Sequence, residues 1–189
     1  TGNKIQMHQV GYAPSSFYVY QQVYGKDGRP LEGVYADRDK DGDVDSDDRY
    51  LYKDPFADVT FGLNTTLTYK NWTLAASGHG SFGNYMYNNV ASNGEMFGDL
   101  WTNNFTSNRL ASSVYSDFST ACYFSDYYIK DASFFKFDNI TLGYTFPSLY
   151  KDKKNDRTLG LNIYATVQNV CTITAYDGLD PEIYGGIDN

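Results

Sequence analysis

The chain has 189 residues and a formal net charge of −8, and aromatic residues make up 17% of it, with 19 Tyr against 2 Trp. The negative charge and the absence of a large Lys/Arg cluster exclude nucleic acid as the expected partner. No run of about 18 apolar residues occurs, which excludes a transmembrane helix. The two cysteines, Cys122 and Cys171, form no CxxC motif and indicate no metal or redox centre.

Five segments have the alternation or the composition of β-strands. In chain order the predicted strands are Phe17–Tyr24, Val59–Tyr69, Trp72–Phe82, Ile140–Phe146 and Leu159–Ile173. Just before the fourth strand, Phe135 and Phe137 carry the apolar pattern in the opposite parity. This change of parity predicts a β-bulge near Asp138 and Asn139. Pro147 is expected to end the fourth strand, because proline cannot donate a ladder hydrogen bond.

The segment Leu159–Ile173 shows the pattern over the greatest length. Its odd positions are apolar except Asn169, and its even positions are small or polar except Tyr164 and Val170. Successive side chains of a strand point to opposite faces, so this strand has one apolar and one polar face. Strands of soluble proteins average about 5–6 residues, whereas a strand that crosses a bilayer needs about 9–11. The length therefore indicates a sheet in contact with lipid.

Long and short connections alternate between the predicted strands. Long loops are expected at about 25–58, 84–127 and 174–189, and shorter connections at 70–71 and 147–158. Membrane barrels have short turns on the periplasmic side and long loops outside. About five strands cannot close such a barrel, because the smallest known ones use about eight. The expected fold is all-β, an antiparallel transmembrane β-barrel segment with long extracellular loops.

An acidic stretch within the first long loop matches the spacing of a 12-residue calcium loop. The candidate ligands are Asp37, Asp39, Asp41, Asp43, Asp45 and Asp48. Gly42 occupies the turn position, and Asp48 stands where such loops usually carry a bidentate Glu. Because crowded carboxylates repel one another without a cation, a structural Ca²⁺ is the favoured interpretation. The alternative is a solvated acidic turn, in which Asp and Gly are also common.

The second long loop contains aromatic side chains that suit contact with a ligand or with a lid protein. Tyr85, Tyr87 and Trp101 are the candidates, since such rings stack on sugars and pack at interfaces. Packing within the loop is the favoured interpretation for all three. No Ser/His/Asp, Cys/His or paired-carboxylate constellation occurs, and His79 stands alone. The sequence therefore predicts no enzyme.

Two segments resemble the SusC/RagA-type TonB-dependent outer-membrane transporters. One is SDYYIKDASFFKFDNITLGYTFP, residues 125–147, which resembles the entry to a hairpin of that family. The other is YATVQNVCTITAYDGLDPE, residues 164–182, which resembles the penultimate strand and the loop that follows it. The likeness extends over nearly the whole chain.

The resemblance implies a place for the chain and a set of partners. Residues 1–189 would be the C-terminal part of a barrel of about 22 strands, with a calcium-loop-like insertion at 37–48 and the final strand expected after Asn189. The family lies in the cell outer membrane, in contact with its lipid, and imports oligosaccharides or peptides. Import is driven by TonB through parts that this chain lacks, and a SusD-like surface lipoprotein acts as the lid.

A second interpretation is a soluble extracellular β-sandwich that is stabilised by calcium and acts as a binding module. It accounts for the aspartate loop, the tyrosine content and the spacing of the turns. It does not account for strands as long as Leu159–Ile173. A second sheet packed over the apolar faces would favour the sandwich, whereas an uncovered apolar band with aromatic ends would favour the barrel.

Overall fold

The computed structural model describes residues 5–98, 108–152, 154, 157–183 and 185–188. The chain divides into two compact units, which we name the sheet unit and the loop unit. The sheet unit consists of Asp58–Phe82 and Ser133–Thr174. The loop unit consists of Thr1–Ala57, Gly83–Ala132 and Ala175–Asn189.

The regular secondary structure of both units consists mainly of strands. In chain order they are β1 (Gln6–Met7), β2 (Ser16–Val19), β3 (Gln22–Tyr24), β4 (Pro30–Tyr35), β5 (Tyr50–Leu51), β6 (Val59–Tyr69), β7 (Trp72–Phe82), β8 (Tyr85–Asn88), β9 (Ile129–Asp131), β10 (Phe134–Asp152), β11 (Arg157–Thr174) and β12 (Ile187–Asp188). Two short helices are α1 (Asn89–Gly94) and α2 (Ser113–Ser116). Within the described ranges no helix has the length and apolar character that a membrane span requires.

The sheet unit is one antiparallel sheet of four long strands in the order β11-β10-β7-β6. The predicted strands Val59–Tyr69 and Trp72–Phe82 are confirmed with the same bounds, and β11 confirms the prediction for Leu159–Ile173. The strand predicted at Ile140–Phe146 lies within the longer β10. This sheet confirms the all-β, antiparallel fold expected from the alternation.

The prediction that Pro147 ends the fourth strand is wrong. β10 continues to Asp152, and its pairing with β11 is interrupted after Phe146 and resumes at Tyr150. Proline has no N–H to donate, so it interrupts the ladder locally, and the strand continues beyond it. A Cβ at Gly160 would lie 3.2 Å from the carbonyl oxygen of Phe146, which shows how closely the two backbones approach here.

The predicted β-bulge in β10 is confirmed at Asp138. Where β7 advances by one residue, β10 advances by two, from Phe137 to Asn139. The extra residue reverses the parity of β10 at this point. Phe135 and Phe137 therefore lie on the same face of the sheet as Ile140, although their positions have opposite parity.

A second irregularity, which the sequence did not predict, lies beside the first in β11. Where β10 advances from Phe137 to Asn139, β11 advances by three residues, between Gln168 and Cys171. Asn169 has a φ of +50°, a left-handed conformation that asparagine tolerates better than most residues. Because β11 gains two residues relative to β7, its odd positions stay on one face along its whole length.

The strand predicted at Phe17–Tyr24 does not belong to the membrane-type sheet. It forms β2 and β3 of the loop unit, where β2 pairs with β1 and β5, and β3 pairs with β4. Phe17 and Val19 are fully buried, at 0% exposure. Alternation in so short a segment does not distinguish a lipid-facing strand from a strand that covers a protein core. The described residues thus supply four long strands instead of the predicted five.

The three segments predicted as long loops have secondary structure and share a core. Its buried members are Ile5, Phe17, Val19, Tyr87, Ala91, Phe118, Cys122, Tyr128 and Ile129. They come from all parts of the loop unit except its last segment, whose Ile187 packs against them. Cys122 is buried and Cys171 exposed, and both are free thiols. The loop unit is thus a folded body with its own hydrophobic core.

Glu32 connects β4 to the segment that follows α2. Its carboxylate accepts hydrogen bonds from the hydroxyls of Thr120 (2.6 Å) and Ser119 (2.8 Å) and from both of their backbone N–H groups. The bond from the Thr120 hydroxyl, together with those from Ser119, holds the pKa of Glu32 below its usual value. The ionised carboxylate is therefore the form that stabilises this contact.

Replacing Phe17 by alanine should destabilise the loop unit by about 3–5 kcal/mol, because it leaves a cavity in a core that is otherwise filled. Native-state hydrogen exchange of the Ser16–Val19 amides in the full-length protein measures this change. Tyr12→Ala, at a 55% exposed position, is the control and should change the same amides by less than about 0.5 kcal/mol. Equal protection in both variants would contradict the core assignment.

The contact made by Glu32 should weaken in acid. A carboxyl whose pKa is lowered by folding contributes stability above its unfolded pKa, near 4.3, and loses that contribution as the pH falls through the folded value. Hydrogen exchange of the Ser119 and Thr120 amides should therefore be faster below about pH 4 than the intrinsic pH dependence of amide exchange accounts for. Glu32→Gln should remove that acid-dependent part, and its persistence in this variant would contradict the role of Glu32.

Candidate functional site

One face of the sheet unit is apolar from end to end. Residues directly opposite one another on neighbouring strands lie on the same face of a sheet. Because β7 has no bulge, the pairing between neighbouring strands shows which residues of all four strands lie on the apolar face. They include Leu63 and Leu67 of β6, Leu74 and Ala76 of β7, Ile140 and Leu142 of β10, and Ile163 and Val167 of β11. Leu63 is 49% and Val167 59% exposed, so no second sheet formed by the described residues covers this face.

Aromatic rings border the apolar face at the end of the sheet where the long segments attach. Phe61 stacks on Phe82 and on Phe135, with centroid distances of 5.7 Å in both pairs. Phe137 meets Phe135 edge to face at 4.9 Å. The four rings make a row that crosses three strands, which we name the phenylalanine row.

Two glycines make room for the phenylalanine row. A Cβ at Gly80 would lie 2.7 Å from the Phe61 ring, and one at Gly78 would lie 2.6 Å from the backbone oxygen of Lys136. Glycine in a strand often marks such a close approach. The alternate glycines of the sequence Ser-Gly-His-Gly-Ser, residues 77–81, are the local sequence signal of this close packing.

A second group of rings borders the apolar face at its other end, beside the turn at Lys70 and Asn71. Trp72 meets Tyr144 at 4.7 Å, and Tyr144 meets Phe146 at 4.6 Å, both edge to face. Phe61 and Tyr69 stand eight positions apart on β6, which is about 26 Å at roughly 3.3 Å per residue. With a tilt of roughly 40° this is about 20 Å, close to the height of the apolar band of outer-membrane barrels, about 25 Å.

The opposite face of the sheet is polar. Nδ1 of His79 lies 2.9 Å from Oδ2 of Asp138, the residue at the bulge. The Asn139 amide donates to the Ser77 hydroxyl at 2.6 Å, and the hydroxyls of Thr141 and Thr166 are 2.8 Å apart. Such ladders of polar side chains are typical of a surface that faces water. The sheet is thus amphipathic over its whole length.

The aspartate loop of the loop unit brings three of its six candidate ligands together. Carboxylate oxygens of Asp37, Asp39 and Asp48 all lie within 4.8 Å of one another. Asp48 is 1% exposed and receives the backbone N–H groups of Arg38 at 2.5 Å and Asp45 at 3.0 Å. These bonds draw both ends of the loop around one carboxylate.

The turn of the loop closes on Asp37. Its carboxylate accepts the N–H groups of Lys40 at 2.6 Å and Gly42 at 3.1 Å. Gly42 has a φ of +99°, which a residue with a side chain rarely adopts. The glycine predicted for the turn position is therefore required by the backbone.

The other three candidates, Asp41, Asp43 and Asp45, are not in the group formed by Asp37, Asp39 and Asp48. Asp41 accepts the N–H of Asp43 at 2.9 Å. Asp45 caps the short turn Ser46–Asp48 by accepting the N–H of Asp47 at 2.8 Å. In this arrangement their carboxylates shape the backbone of the loop.

The charges of the loop act unequally on its carboxyl groups. The N–H of Arg38, with that of Asp45, lowers the pKa of Asp48, which is thereby held as a carboxylate. For Asp39 the N–H of Asp41 acts in the same direction. Burial and the carboxylates of Asp41, Asp48 and Asp37 outweigh it, so the pKa of Asp39 is raised.

The structure places two of the three aromatic candidates of the second long loop. Tyr87 is 3% exposed and belongs to the core, which agrees with packing within the loop and leaves its ring unavailable to a ligand or a lid. Tyr87 lies in β8, and its side chain points into the core of the loop unit. Tyr85 is half-buried, with the Lys53 amine 4.5 Å above its ring. Trp101 lies outside the described residues.

Comparison with known proteins identifies relatives along almost the whole chain. The TonB-dependent receptor SusC of Bacteroides thetaiotaomicron is 46% identical over 188 residues, which are 98% of this chain and 19% of SusC. The TonB-dependent receptor P3 of Formosa agariphila is 28% identical over 97% of this chain and 20% of its own length. No family model matches the sequence. The relatives are named as receptors, not as enzymes.

Solved structures with the same fold are those of a peptide importer. RagAB in its closed-closed state matches with a TM-score of 0.72 at 22% identity, and in its open-open state with 0.72 at 24%. Each match covers 99% of this chain and 22% of the importer chain. The chain thus spans about a fifth of the length of the proteins it matches. Over that fifth, the chain is similar in sequence to the TonB-dependent receptor SusC and has the fold found in RagAB.

Proposed function

We propose that this chain is an arc of the wall of an outer-membrane transporter, with its apolar face toward lipid and its polar face toward a water-filled lumen. The observation that carries the proposal is the uncovered apolar face bounded at both ends by aromatic rings. A lipid-facing barrel wall has this arrangement, because aromatic side chains settle at the two membrane interfaces. A β-sandwich would instead cover the face with a second sheet.

The edges of the sheet fit the same role. β6 and β11 each have a partner on one side only, among the residues that the structure describes. In lipid an unpaired edge leaves backbone groups without hydrogen bonds, so both edges require further strands. We place these strands in the rest of a barrel of about 22 strands, of which this chain is the C-terminal part.

As a transporter of the SusC type, the full-length protein would import oligosaccharides or peptides. Energy would come from TonB through parts outside this chain, and a SusD-like lipoprotein would close the entrance on the cell surface. The loop unit supports this role because its segments attach at the end of the sheet that carries Val59, Phe82, Phe134 and Thr174. Long connections at one end of a barrel are the extracellular ones.

The transport role is tested on the full-length protein in its native host. Fractionation should place it in the outer membrane, and an affinity tag should recover a surface lipoprotein with it. Uptake of labelled oligosaccharides and labelled peptides should distinguish the two substrate classes, and deletion of TonB should abolish the uptake. A protein recovered from the soluble fraction would contradict the proposal.

We further propose that the aspartate loop binds a structural Ca²⁺ through Asp37, Asp39 and Asp48, and that the remaining aspartates of the loop add to its negative charge. The donor set fits calcium, which prefers several hard oxygen ligands with at least two carboxylates. Asp48 lacks the reach of a bidentate Glu, so the affinity should be modest, about 10⁻⁴–10⁻³ M as in extracellular modules. The bound ion would stiffen the loop against the repulsion of its carboxylates.

An arginine in place of Leu63 should destabilise the membrane-inserted protein by up to about 2–4 kcal/mol, because the charge would face lipid. Asn64→Arg is the matched control, since the neighbouring residue is also exposed but lies on the polar face. Urea unfolding of the full-length protein in phospholipid vesicles measures both. A similar loss of unfolding free energy in the two variants would mean that the two faces have the same surroundings, which would contradict the proposal.

Asp39→Asn should weaken calcium binding at least tenfold. Without calcium, the amides of the loop should exchange more slowly in this variant than in the wild-type protein. The first effect follows from the loss of a ligand charge, and the second from relief of the repulsion that raises the pKa of Asp39. Calorimetry with CaCl₂ and hydrogen exchange in EGTA measure the two effects in the full-length protein. Asp27→Asn, outside the loop, should change neither. Calcium binding of unaltered strength in Asp39→Asn would refute the site.

A further inference from the structure

A buried carboxylate with a free oxygen lies elsewhere in the loop unit. Glu95 directly follows α1 and is 2% exposed. One carboxylate oxygen, Oε1, accepts a hydrogen bond from the Tyr127 hydroxyl at 3.3 Å. The other, Oε2, is buried and makes no hydrogen bond of good geometry, although Glu95 lies close enough to Tyr128 to contribute, after burial, to the raised pKa of its phenol. Such a group costs free energy unless it gains a partner that the protein itself does not supply.

Glu95 lines a small polar cavity of about 40 Å³. The other polar residues in its wall are Asn88, Ser112, Tyr127, Tyr128, Lys130 and Asp177. A cavity needs about 10–15 Å³ to hold one water molecule, so this one accommodates an ion with one or two waters. The free oxygen and the cavity are therefore two observations that indicate a bound species at the same place.

The charges in the cavity wall favour a cation. No Lys or Arg of the described residues forms an ion pair with Glu95, and the Lys130 amine lies over the Tyr127 ring, 4.4 Å from its centroid. The cavity wall carries two carboxylates, those of Glu95 and Asp177, and one amine, that of Lys130. Burial, followed by the nearby carboxylate of Glu95, raises the pKa of Tyr127, so its phenol stays protonated and donates to Glu95.

We propose that the Glu95 cavity binds a small monovalent cation, Na⁺ or K⁺, which is coordinated by the free oxygen of Glu95 and by neighbouring hydroxyl, amide and water oxygens. A divalent ion is less suited, since Ca²⁺ takes six to eight oxygen ligands, usually with several carboxylates among them. The cation would hold α1 against the turn Asp126–Tyr128 and so support the part of the loop unit next to β8. The site is separate from the aspartate loop and does not depend on the transport role.

The test is hydrogen exchange of the Asn88–Glu95 amides in the full-length protein, at constant Ca²⁺ and constant ionic strength. Exchange in 150 mM NaCl or KCl should be about tenfold slower than in choline chloride, whose cation is too large for the cavity. A tenfold change corresponds to a salt concentration about nine times the dissociation constant. Equal rates in all three salts would overturn the proposal, and would indicate a water molecule or a protonated Glu95.

Glu95→Gln should remove the dependence on Na⁺ or K⁺, because it retains the shape of the side chain and loses its charge. Glu32→Gln is the matched control, since Glu32 lies in the same unit with its carboxylate already bonded, and it should retain the dependence. Retention in Glu95→Gln would overturn the proposal. If that variant does not fold, wild-type crystals soaked in RbCl decide: an anomalous peak beside Glu95 supports the site, and its absence overturns it.

Discussion

The cross-strand register of the four long strands is the constraint on which the rest of the structure depends. Backbone hydrogen bonds fix which residues oppose one another, and a shift of one residue would move every following side chain to the other face. Asp138 adds one residue to β10, and Asn169 and Val170 bring β11 two residues ahead of β7. These irregularities keep the apolar side chains on one face, and without them half of the face would be polar.

The surroundings of that face determine what the sheet is suited for. A face whose Leu, Ile and Val side chains are exposed in water would be an aggregation hazard, because apolar patches of this size are rare on soluble monomers. Lipid removes the hazard and makes the same side chains favourable. The phenylalanine row at one end and the Trp72–Tyr144–Phe146 cluster at the other give the face two aromatic borders. The polar face then has the composition expected beside a water-filled lumen.

The loop unit depends on contacts between residues far apart in the chain. Its core joins Phe17 to Phe118 and Tyr128, and Glu32 connects β4 to Ser119 and Thr120. The core supplies the hydrophobic stabilisation that a long surface loop ordinarily lacks. It also gives the aspartate loop and Glu95 fixed surroundings. Long connections between strands can thus hold carboxylate groups in a defined geometry.

The sequence by itself determined the long strands, the bulge at Asp138 and the calcium-loop pattern, because these follow from local alternation and spacing. Only the tertiary structure decided that Phe17 and Tyr87 are buried in a protein core, since alternation does not reveal what covers a face. It likewise decided which three aspartates meet and that Glu95 retains a free oxygen. The burial of Phe17 arises from contacts across more than 100 residues of chain, because Phe118 and Tyr128 pack in the same core, and no local pattern records it.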